Sequence, residues 1–225
     1  MGGLAGISQG GGRAWRRIRF TLWALRLRGR LARHGCRLDV SAPHGAPLFE
    51  RTPVVRLHTE GDGRGSLTLR FGAGVSFGRD VVLEVWARQA NVLELGAGTR
   101  LEDRVHVALR GGHVHLGSES TVHEGGEIHV EGLFITGRRA YVGSGAVVRC
   151  TQRIELGERV TLAERCSISD LGHAQAGSGS NGGSEPVIEP VEIPSDTLVG
   201  PNSVLTQGVR LGEGSIVEAG ALVYP

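Results

Sequence analysis

An aliphatic or aromatic residue returns every six positions along most of the chain, and a small residue commonly stands four places after it. The period slips by a few residues at 107–116, 128–142 and 148–156, and it runs without error from residue 193 onward. A short period repeated this often predicts a solenoid, in which each repeat is buried only by stacking on its neighbours. Its positions are Phe71, Phe77, Leu83, Leu95, Leu101, Val107, Leu116, Val122, Ile128, Val142, Val148, Leu156, Leu162, Ile168, Ile193, Val199, Leu205, Leu211, Val217 and Val223.

The composition agrees with a narrow core and many tight turns. Glycine supplies 37 of the 225 residues, and aromatic residues make up only 4%. The chain has no Gly-X-Y triplet repeat, which excludes collagen, and its many aliphatic residues argue against disorder. We expect three hexapeptides in a coil of about 18 residues, with the periodic aliphatic side chains pointing inward. The frame slips are interpreted as corner loops that leave the stack intact.

The pattern [LIV]-G-x-x-[small]-x resembles that of the hexapeptide-repeat acyltransferases, over roughly residues 67–225. The resemblance implies an all-β fold, a left-handed parallel β-helix of about seven to eight coils. It also implies assembly as a homotrimer. Three segments are expected: a basic N-terminal helix in residues 1–38, a connector with an irregular first coil in 39–66, and the β-helix in 67–225.

The longest interruption of the repeat follows Ile168 and is rich in Gly and Ser. A loop that leaves a rigid solenoid at a corner can present functional groups. In the sugar and polysaccharide O-acetyltransferases that the chain most resembles, an Asp-His-x-His motif stands at this place, and this chain has Asp170-Leu171-Gly172-His173. The resemblance implies that His173 is the catalytic base, since a neutral imidazole can take the acceptor's proton. Asp170 would orient His173 or the acceptor.

By their positions in the motifs that follow, the resemblance assigns acetyl-CoA binding to Gly200, Thr206, Gly208 and Ala219. Backbone N–H groups of the Gly-rich corners are candidate oxyanion donors. The implied function is an acetyl-CoA-dependent O-acetyltransferase that modifies a sugar hydroxyl, with surface polysaccharide synthesis as the expected setting. A second hypothesis is a catalytically inactive scaffold or assembly protein at the membrane, because Leu171 and Leu198 stand where these proteins have His and Trp.

Basic charge is concentrated at the N-terminus. Residues 1–38 hold nine of the 25 Arg residues and no acidic residue, whereas the rest of the chain has 16 Arg against 23 acidic residues. An acidic body argues against nucleic-acid binding. Residues 13–33 mix helical and strand periods, and their length and lack of Pro favour a helix. Two interpretations stay open: a basic helix on the anionic inner face of a membrane, or a cap on the open end of the solenoid.

The remaining polar candidates indicate no cofactor site of their own. Five His residues lie between 106 and 129, but their spacing does not indicate a metal site, and we predict surface His and no metal. The three Cys residues form no CxxC pair, so they are expected to be reduced thiols of a cytoplasmic protein, with Cys150 and Cys166 facing the core.

Overall fold

The computed structural model describes residues 7–173 and 186–225, and for residues 7–13 and His173 it describes the backbone alone. Helix α1 (Ile7–Ala32) precedes a stack of short strands, which begins at Arg37. In the described part of the chain, α1 is too polar to cross a membrane. The prediction of a mostly β solenoid with one N-terminal helix is confirmed.

Twenty-five strands are described. In chain order they are β1 (Arg37–Ser41), β2 (Leu48–Phe49), β3 (Val54–His58), β4 (Ser66–Phe71), β5 (Ser76–Phe77), β6 (Val82–Trp86), β7 (Ala90–Leu95), β8 (Arg100–Leu101), β9 (His106–Leu109), β10 (His113–Leu116), β11 (Thr121–Val122), β12 (Glu127–Val130), β13 (Leu133–Thr136), β14 (Tyr141–Val142), β15 (Val147–Cys150), β16 (Arg153–Leu156), β17 (Thr161–Leu162), β18 (Ser167–Ser169), β19 (Leu171–His173), β20 (Pro186–Ile188), β21 (Val191–Ile193), β22 (Leu198–Val199), β23 (Val204–Leu205), β24 (Ile216–Val217) and β25 (Leu222–Val223).

Three parallel sheets form the walls of the solenoid. Sheet A contains β1, β4, β7, β10, β13, β16 and β21; sheet B contains β2, β5, β8, β11, β14, β17, β22 and β24; sheet C contains β3, β6, β9, β12, β15, β18, β23 and β25. Each full coil contributes one strand to A, then B, then C, which gives seven coils and part of an eighth. The chain therefore turns three corners per coil, called here the A–B, B–C and C–A corners.

Coil length differs from the expected 18 residues in all but the last coil. Leu198 pairs with Ile216, 18 residues further on, whereas Leu133 pairs with Arg153 and Arg37 with Ser66. The additional residues lie at the corners, so the frame slips are corner loops as predicted. Because the register is kept around each insertion, the periodic side chains stay stacked. All of them are buried except Leu211 and Val223, which are partly buried against the core.

Tight corners explain part of the glycine content. At the A–B corner, a Cβ on Gly117 would lie only 2.3 Å from the carbonyl oxygen of Gly137 in the next coil. A second demand is a positive φ, which recurs at one position of the A–B and B–C corners in every coil from the second onward and favours Gly. Polar residues also occupy that conformation, including Asp196 at 61° and Asn202 at 58°. Their backbone N–H groups each donate to a carbonyl of the preceding coil, as Asp196 does to Glu158 at 2.9 Å.

Helix α1 covers the N-terminal end of the stack. Leu27 and Leu31 are buried, and the ring of Trp23 packs on that of Phe49 with centroids 5.4 Å apart. Trp23 Nε1 donates to the carbonyl of Pro53 at 3.3 Å, and the guanidinium of Arg30 donates to that of Val55 at 3.0 Å. An open solenoid end would expose core side chains and strand edges. The helix therefore acts as the cap that one of the two sequence interpretations describes.

Candidate active site

The predicted extrusion leaves the solenoid at the C–A corner of the sixth coil. Strand β18 ends at Ser169, and the chain returns to sheet A only at Val191. Between them β19 and β20 pair antiparallel, with Leu171 opposite Ile188 and His173 opposite Pro186. The backbone of His173 is thus held by a two-stranded hairpin at its base. The rest of the predicted loop, residues 174–185, lies outside the described residues.

Asp170 is fully buried at the foot of this hairpin. It continues the row of inward-facing side chains formed by Val130 and Cys150 in the two preceding coils. Its carboxylate accepts three backbone N–H groups of the corner below, those of Thr151, Gln152 and Arg153, each at 2.7 Å. Its own carbonyl accepts the N–H of Glu189, at 3.0 Å, where the hairpin ends. This geometry gives Asp170 the role of closing the corner, and its predicted catalytic role stays a prediction.

The side chain of Gln207 occupies the space beside the hairpin. A Cβ added to Gly172 would lie 2.2 Å from Oε1 and 2.6 Å from Nε2 of Gln207, so any larger residue at position 172 would require this carboxamide to move. Gly208, the residue after Gln207, is similarly close to a carboxylate, since a Cβ there would lie 2.3 Å from Glu189 Oε2. The carboxamide of Gln207 therefore lies next to the residue that precedes His173, and the carboxylate of Glu189 lies next to Gly208.

Sequence reasoning missed Gln207 and Glu189. Gln207 lies between two residues that the motifs singled out, Thr206 and Gly208, but the motif gives no role to the position between them. The register between coils would have located Gln207, because Ile168 pairs with Leu205 and this pairing brings Gln207 next to Asp170. That register spans the 37 residues that contain the extrusion, so the six-residue period alone does not give it.

The four predicted acetyl-CoA residues fall at two different corners. Thr206 and Gly208 lie at the C–A corner beside the hairpin. Gly200 and Ala219 are stacked at the B–C corner, where a Cβ on Gly200 would lie 2.7 Å from the backbone N of Ala219. Between the two corners runs the outer face of β23 and β25, on which Val204 and Leu222 are 40% and 53% exposed.

Three of these four residues already use their backbone N–H groups inside the stack. Gly200 N donates to Val217 O at 2.9 Å, Thr206 N to Val223 O at 3.2 Å, and Gly208 N to Glu189 O at 3.1 Å. The hydroxyl of Thr206 donates to Val223 O as well, at 3.1 Å. Gly200 and Gly208 are therefore unsuitable as oxyanion donors. Between the two corners, this surface presents the apolar side chains of Val204 and Leu222.

Six of the described His side chains pair with Glu, namely His58, His106, His113, His115, His123 and His129. The Nε2 atoms of His58 and His106 both hydrogen-bond to the carboxylate of Glu84, that of His106 at 2.8 Å. His123 Nδ1 lies 2.9 Å from a carboxylate oxygen of Glu102. Burial alone would raise the pKa of Glu84, but the two His hydrogen bonds outweigh it and the pKa is lowered. Among the described residues, no group of three or more His, Cys, Asp or Glu side chains is placed to hold a metal ion.

All three thiols are free and buried, as predicted for Cys150 and Cys166. Burial, followed by the negative charge of Asp170, raises the pKa of Cys150 to about 12. Burial also raises the pKa values of Cys36 and Cys166. Since the thiolate is the reactive form, these side chains pack in the core rather than act as nucleophiles.

Residues 190–225 match the family described as the hexapeptide repeat of succinyl-transferase. The same six-residue period continues through the described coils below that segment, and its side chains form the core. The chain is thus similar to this family in its last 36 residues, and the hexapeptide repeat itself runs through most of the described coils. The six-residue repeat accounts for the seven coils and their corners, whereas the hairpin is an insertion between two of them.

Individual relatives match about a quarter of the chain. The 2,3,4,5-tetrahydropyridine-2,6-dicarboxylate N-acetyltransferases of Staphylococcus aureus strains JH9, Newman and JH1 are each 48% identical over 52 residues, which is 23% of this chain. The match spans only 22% of the length of each relative. Among solved structures, the polySia specific acetyltransferase NeuO is 18% identical with a TM-score of 0.47, over 84% of this chain and 78% of that one.

Proposed function

We propose that this protein is an acetyl-CoA-dependent O-acetyltransferase that acts on a sugar hydroxyl, with surface polysaccharide synthesis as its setting. The observation that carries the proposal is the hairpin at the C–A corner of a hexapeptide-repeat solenoid, which holds Gly172, the residue before His173, beside Gln207. The names of the N-acetyltransferase relatives support acetyl as the transferred group, and acetyl-CoA as its donor is what the sequence resemblance implies. The sugar acceptor rests on the resemblance of the Asp170–His173 segment to the sugar O-acetyltransferases.

In the proposed mechanism His173 is the general base. Its neutral imidazole takes the proton of the acceptor hydroxyl while the hydroxyl oxygen bonds to the thioester carbonyl carbon. The carbon–sulfur bond then breaks, and the imidazolium returns the proton to the sulfur of CoA, so the base is regenerated. Gln207 Nε2 is the proposed donor to the carbonyl oxygen as negative charge develops there, since a side-chain amide can fill this role. Asp170 fixes the start of the hairpin through the three N–H groups that it accepts.

The surface between the two corners is the proposed site of the pantetheine arm. Val204 and Leu222 would contact its apolar part, and corner carbonyl oxygens would accept its N–H groups. Gly200, Thr206, Gly208 and Ala219 border this surface. The proposal includes a homotrimer, and the exposed neighbours Leu198 and Ile216 on sheet B provide apolar surface for contacts between copies. Light scattering should then give three times the monomer mass.

The decisive experiment is calorimetric titration of the full chain with acetyl-CoA, followed by a thiol-release assay with two sets of acceptors. One set contains sugars that offer only hydroxyls, and the other contains amines, including a tetrahydropyridine dicarboxylate. Turnover with sugars alone supports the proposal, and turnover with amines alone supports an N-acetyltransferase. No binding at millimolar acetyl-CoA would leave the inactive scaffold as the function.

The base is tested by His173→Ala, with the exposed His44→Ala as the matched control. We expect His173→Ala to keep acetyl-CoA affinity and to lower kcat by about 10²–10⁴-fold, the usual contribution of general base catalysis. The His44→Ala variant should keep wild-type turnover. If His173→Ala also keeps full turnover, another group takes the proton.

The proposed place of action is the cytoplasm, at the inner face of a membrane that residues 13–33 contact.

A further inference from the structure

Helix α1 carries two apolar stripes on opposite sides. The core stripe is Phe20, Trp23, Leu27 and Leu31, which packs on the first coils. The outer stripe is Trp15, Ile18, Leu22 and Leu25, whose exposed fractions are 66%, 48%, 48% and 56%. At 3.6 residues per turn the centres of the two stripes lie roughly 180° apart. One side of the helix caps the solenoid, and the other presents an apolar stripe to the outside.

The helix cannot turn to bury the outer stripe without giving up its contacts with the stack. Besides the Trp23 and Arg30 hydrogen bonds, the ring of Phe20 packs on those of Phe49 and Phe71, at centroid distances of 6.2 and 6.1 Å. These contacts fix the rotation of the helix about its axis. The outer stripe is therefore a permanent feature of the end surface.

Arginines line both sides of the outer stripe. On the helical wheel Arg19 and Arg26 flank one side, and Arg17 and Arg28 flank the other. All four are exposed, and none pairs with a carboxylate in the part of the chain that the structure describes. The chain has no acidic residue before Asp39. An apolar stripe between two rows of Arg matches the interface of an anionic bilayer, where headgroups bind the guanidinium groups and acyl chains receive the apolar side chains.

We propose that the outer stripe docks the protein on an anionic lipid bilayer, with α1 lying between the bilayer and the solenoid. A second copy of the helix is a poorer occupant, because pairing two such stripes would bring the flanking Arg rows of both copies together. In this orientation the solenoid stands on the membrane. The hairpin leaves five coils above the first, and at about 4.8 Å per coil it lies on the order of 25 Å beyond the helix, clear of the lipid. The docking itself does not depend on the proposed acetyltransferase activity.

The test is co-sedimentation of the full chain with vesicles of phosphatidylcholine alone or mixed with an equal part of phosphatidylglycerol. Wild type should bind the anionic vesicles, and high salt should weaken this binding. The double variant Leu22→Ser/Leu25→Ser should bind at least tenfold more weakly. The variant with Arg17, Arg19, Arg26 and Arg28 changed to Gln should lose about fivefold for each Arg.

Val54→Ser is the matched control, because Val54 is also 48% exposed but lies on the first coil. It should bind as wild type does, and thermal unfolding should show that all the variants fold. Equal binding of wild type and the Leu22/Leu25 variant, or equal binding to neutral and anionic vesicles, would overturn the proposal. A third combination of results would also overturn it: wild type binds no vesicles, and the Leu22/Leu25 variant forms a smaller oligomer than wild type in lipid-free buffer. The outer stripe would then be a contact between copies. Turnover of a soluble acceptor without vesicles should be the same for all these variants, which separates this test from that of the enzyme.

Discussion

The carboxamide of Gln207 lies so close to Gly172 that no other residue fits at position 172 without moving it: an added Cβ would lie 2.2 Å from Oε1. Gly172 directly precedes His173 on β19, so the position of Gln207 and that of the predicted base are coupled through one backbone contact. This relationship makes residue 172 a sensitive probe of the candidate site.

Gly172→Ala should lower kcat of the proposed acetyl transfer by about 10²-fold, because displacement of a positioned group by about 1 Å can cost that much. Gln207→Ala removes the side chain that the new methyl group would strike. In the Gln207→Ala background, Gly172→Ala should therefore lower kcat much less than it does in the wild type. Steady-state kinetics of the four proteins in this cycle measure the coupling.

Gly29→Ala is the control, because a Cβ at Gly29 would meet nothing within 4 Å and this residue lies on α1. It should leave kcat unchanged. Additive effects of the Gly172 and Gln207 substitutions would mean that their close contact has no part in the activity.

Asp170→Ala should destabilise the fold by about 3 kcal/mol or more, because three partly buried backbone N–H groups lose a charged acceptor. Asp170→Asn keeps one acceptor oxygen and should cost less. Urea unfolding of both variants gives the values, and Asp62→Ala, at an exposed turn, should stay within about 0.5 kcal/mol of wild type. An Asp170→Ala protein of wild-type stability would show that the three N–H groups have other partners.

The buried thiols should be almost inert in the folded protein. At pH 8 a pKa of about 12 leaves Cys150 protonated, and the raised pKa values of Cys36 and Cys166 act in the same direction. Reaction with a disulfide reagent should therefore be at least about a hundredfold slower than in denaturant, where thiols have a pKa of about 8.5. The rate of absorbance change with and without urea measures this ratio, and a thiol that reacts as fast in the folded state would contradict it.

Glu84 should contribute to the acid sensitivity of the protein. Its pKa is lowered in the folded state, so its carboxylate stabilises the fold above its unfolded pKa of about 4.3, and this contribution is lost as the pH falls through the folded value. Glu84→Gln should therefore lose less stability than wild type between about pH 5 and pH 3. Unfolding free energies across this range test the difference. The exposed Glu60→Gln should follow the wild-type curve.

Two Leu residues on α1 should respond differently to the same truncation. Leu27 is 2% exposed and Leu25 is 56% exposed. Leu27→Ala should cost about 2–5 kcal/mol of unfolding free energy, as truncations in a core do, whereas Leu25→Ala should cost about 0.5 kcal/mol or less. Thermal or urea unfolding compares the two directly. Equal costs would mean that the helix packs with a different face on the solenoid.

Periodicity alone determined the architecture of this protein. Along most of the chain an apolar residue returns every six positions and the residue four places later is commonly small, and both rows face inward, as Phe71 and Val75 do. The sequence also located the extrusion after Ile168, because a break in a regular repeat is visible without a structure. These features are local, since each depends on residues within one or two hexapeptides.

Tertiary structure decided what depends on contacts between distant residues. The sequence brought Trp15, Ile18, Leu22 and Leu25 to one helix face, but only packing showed that this face points outward. Likewise, the register between coils put Asp170 in the core, brought Gln207 to Gly172, and separated Gly200 and Ala219 from Thr206 and Gly208. Corner insertions of different lengths set that register, and a six-residue period does not record how far apart in sequence two stacked residues are.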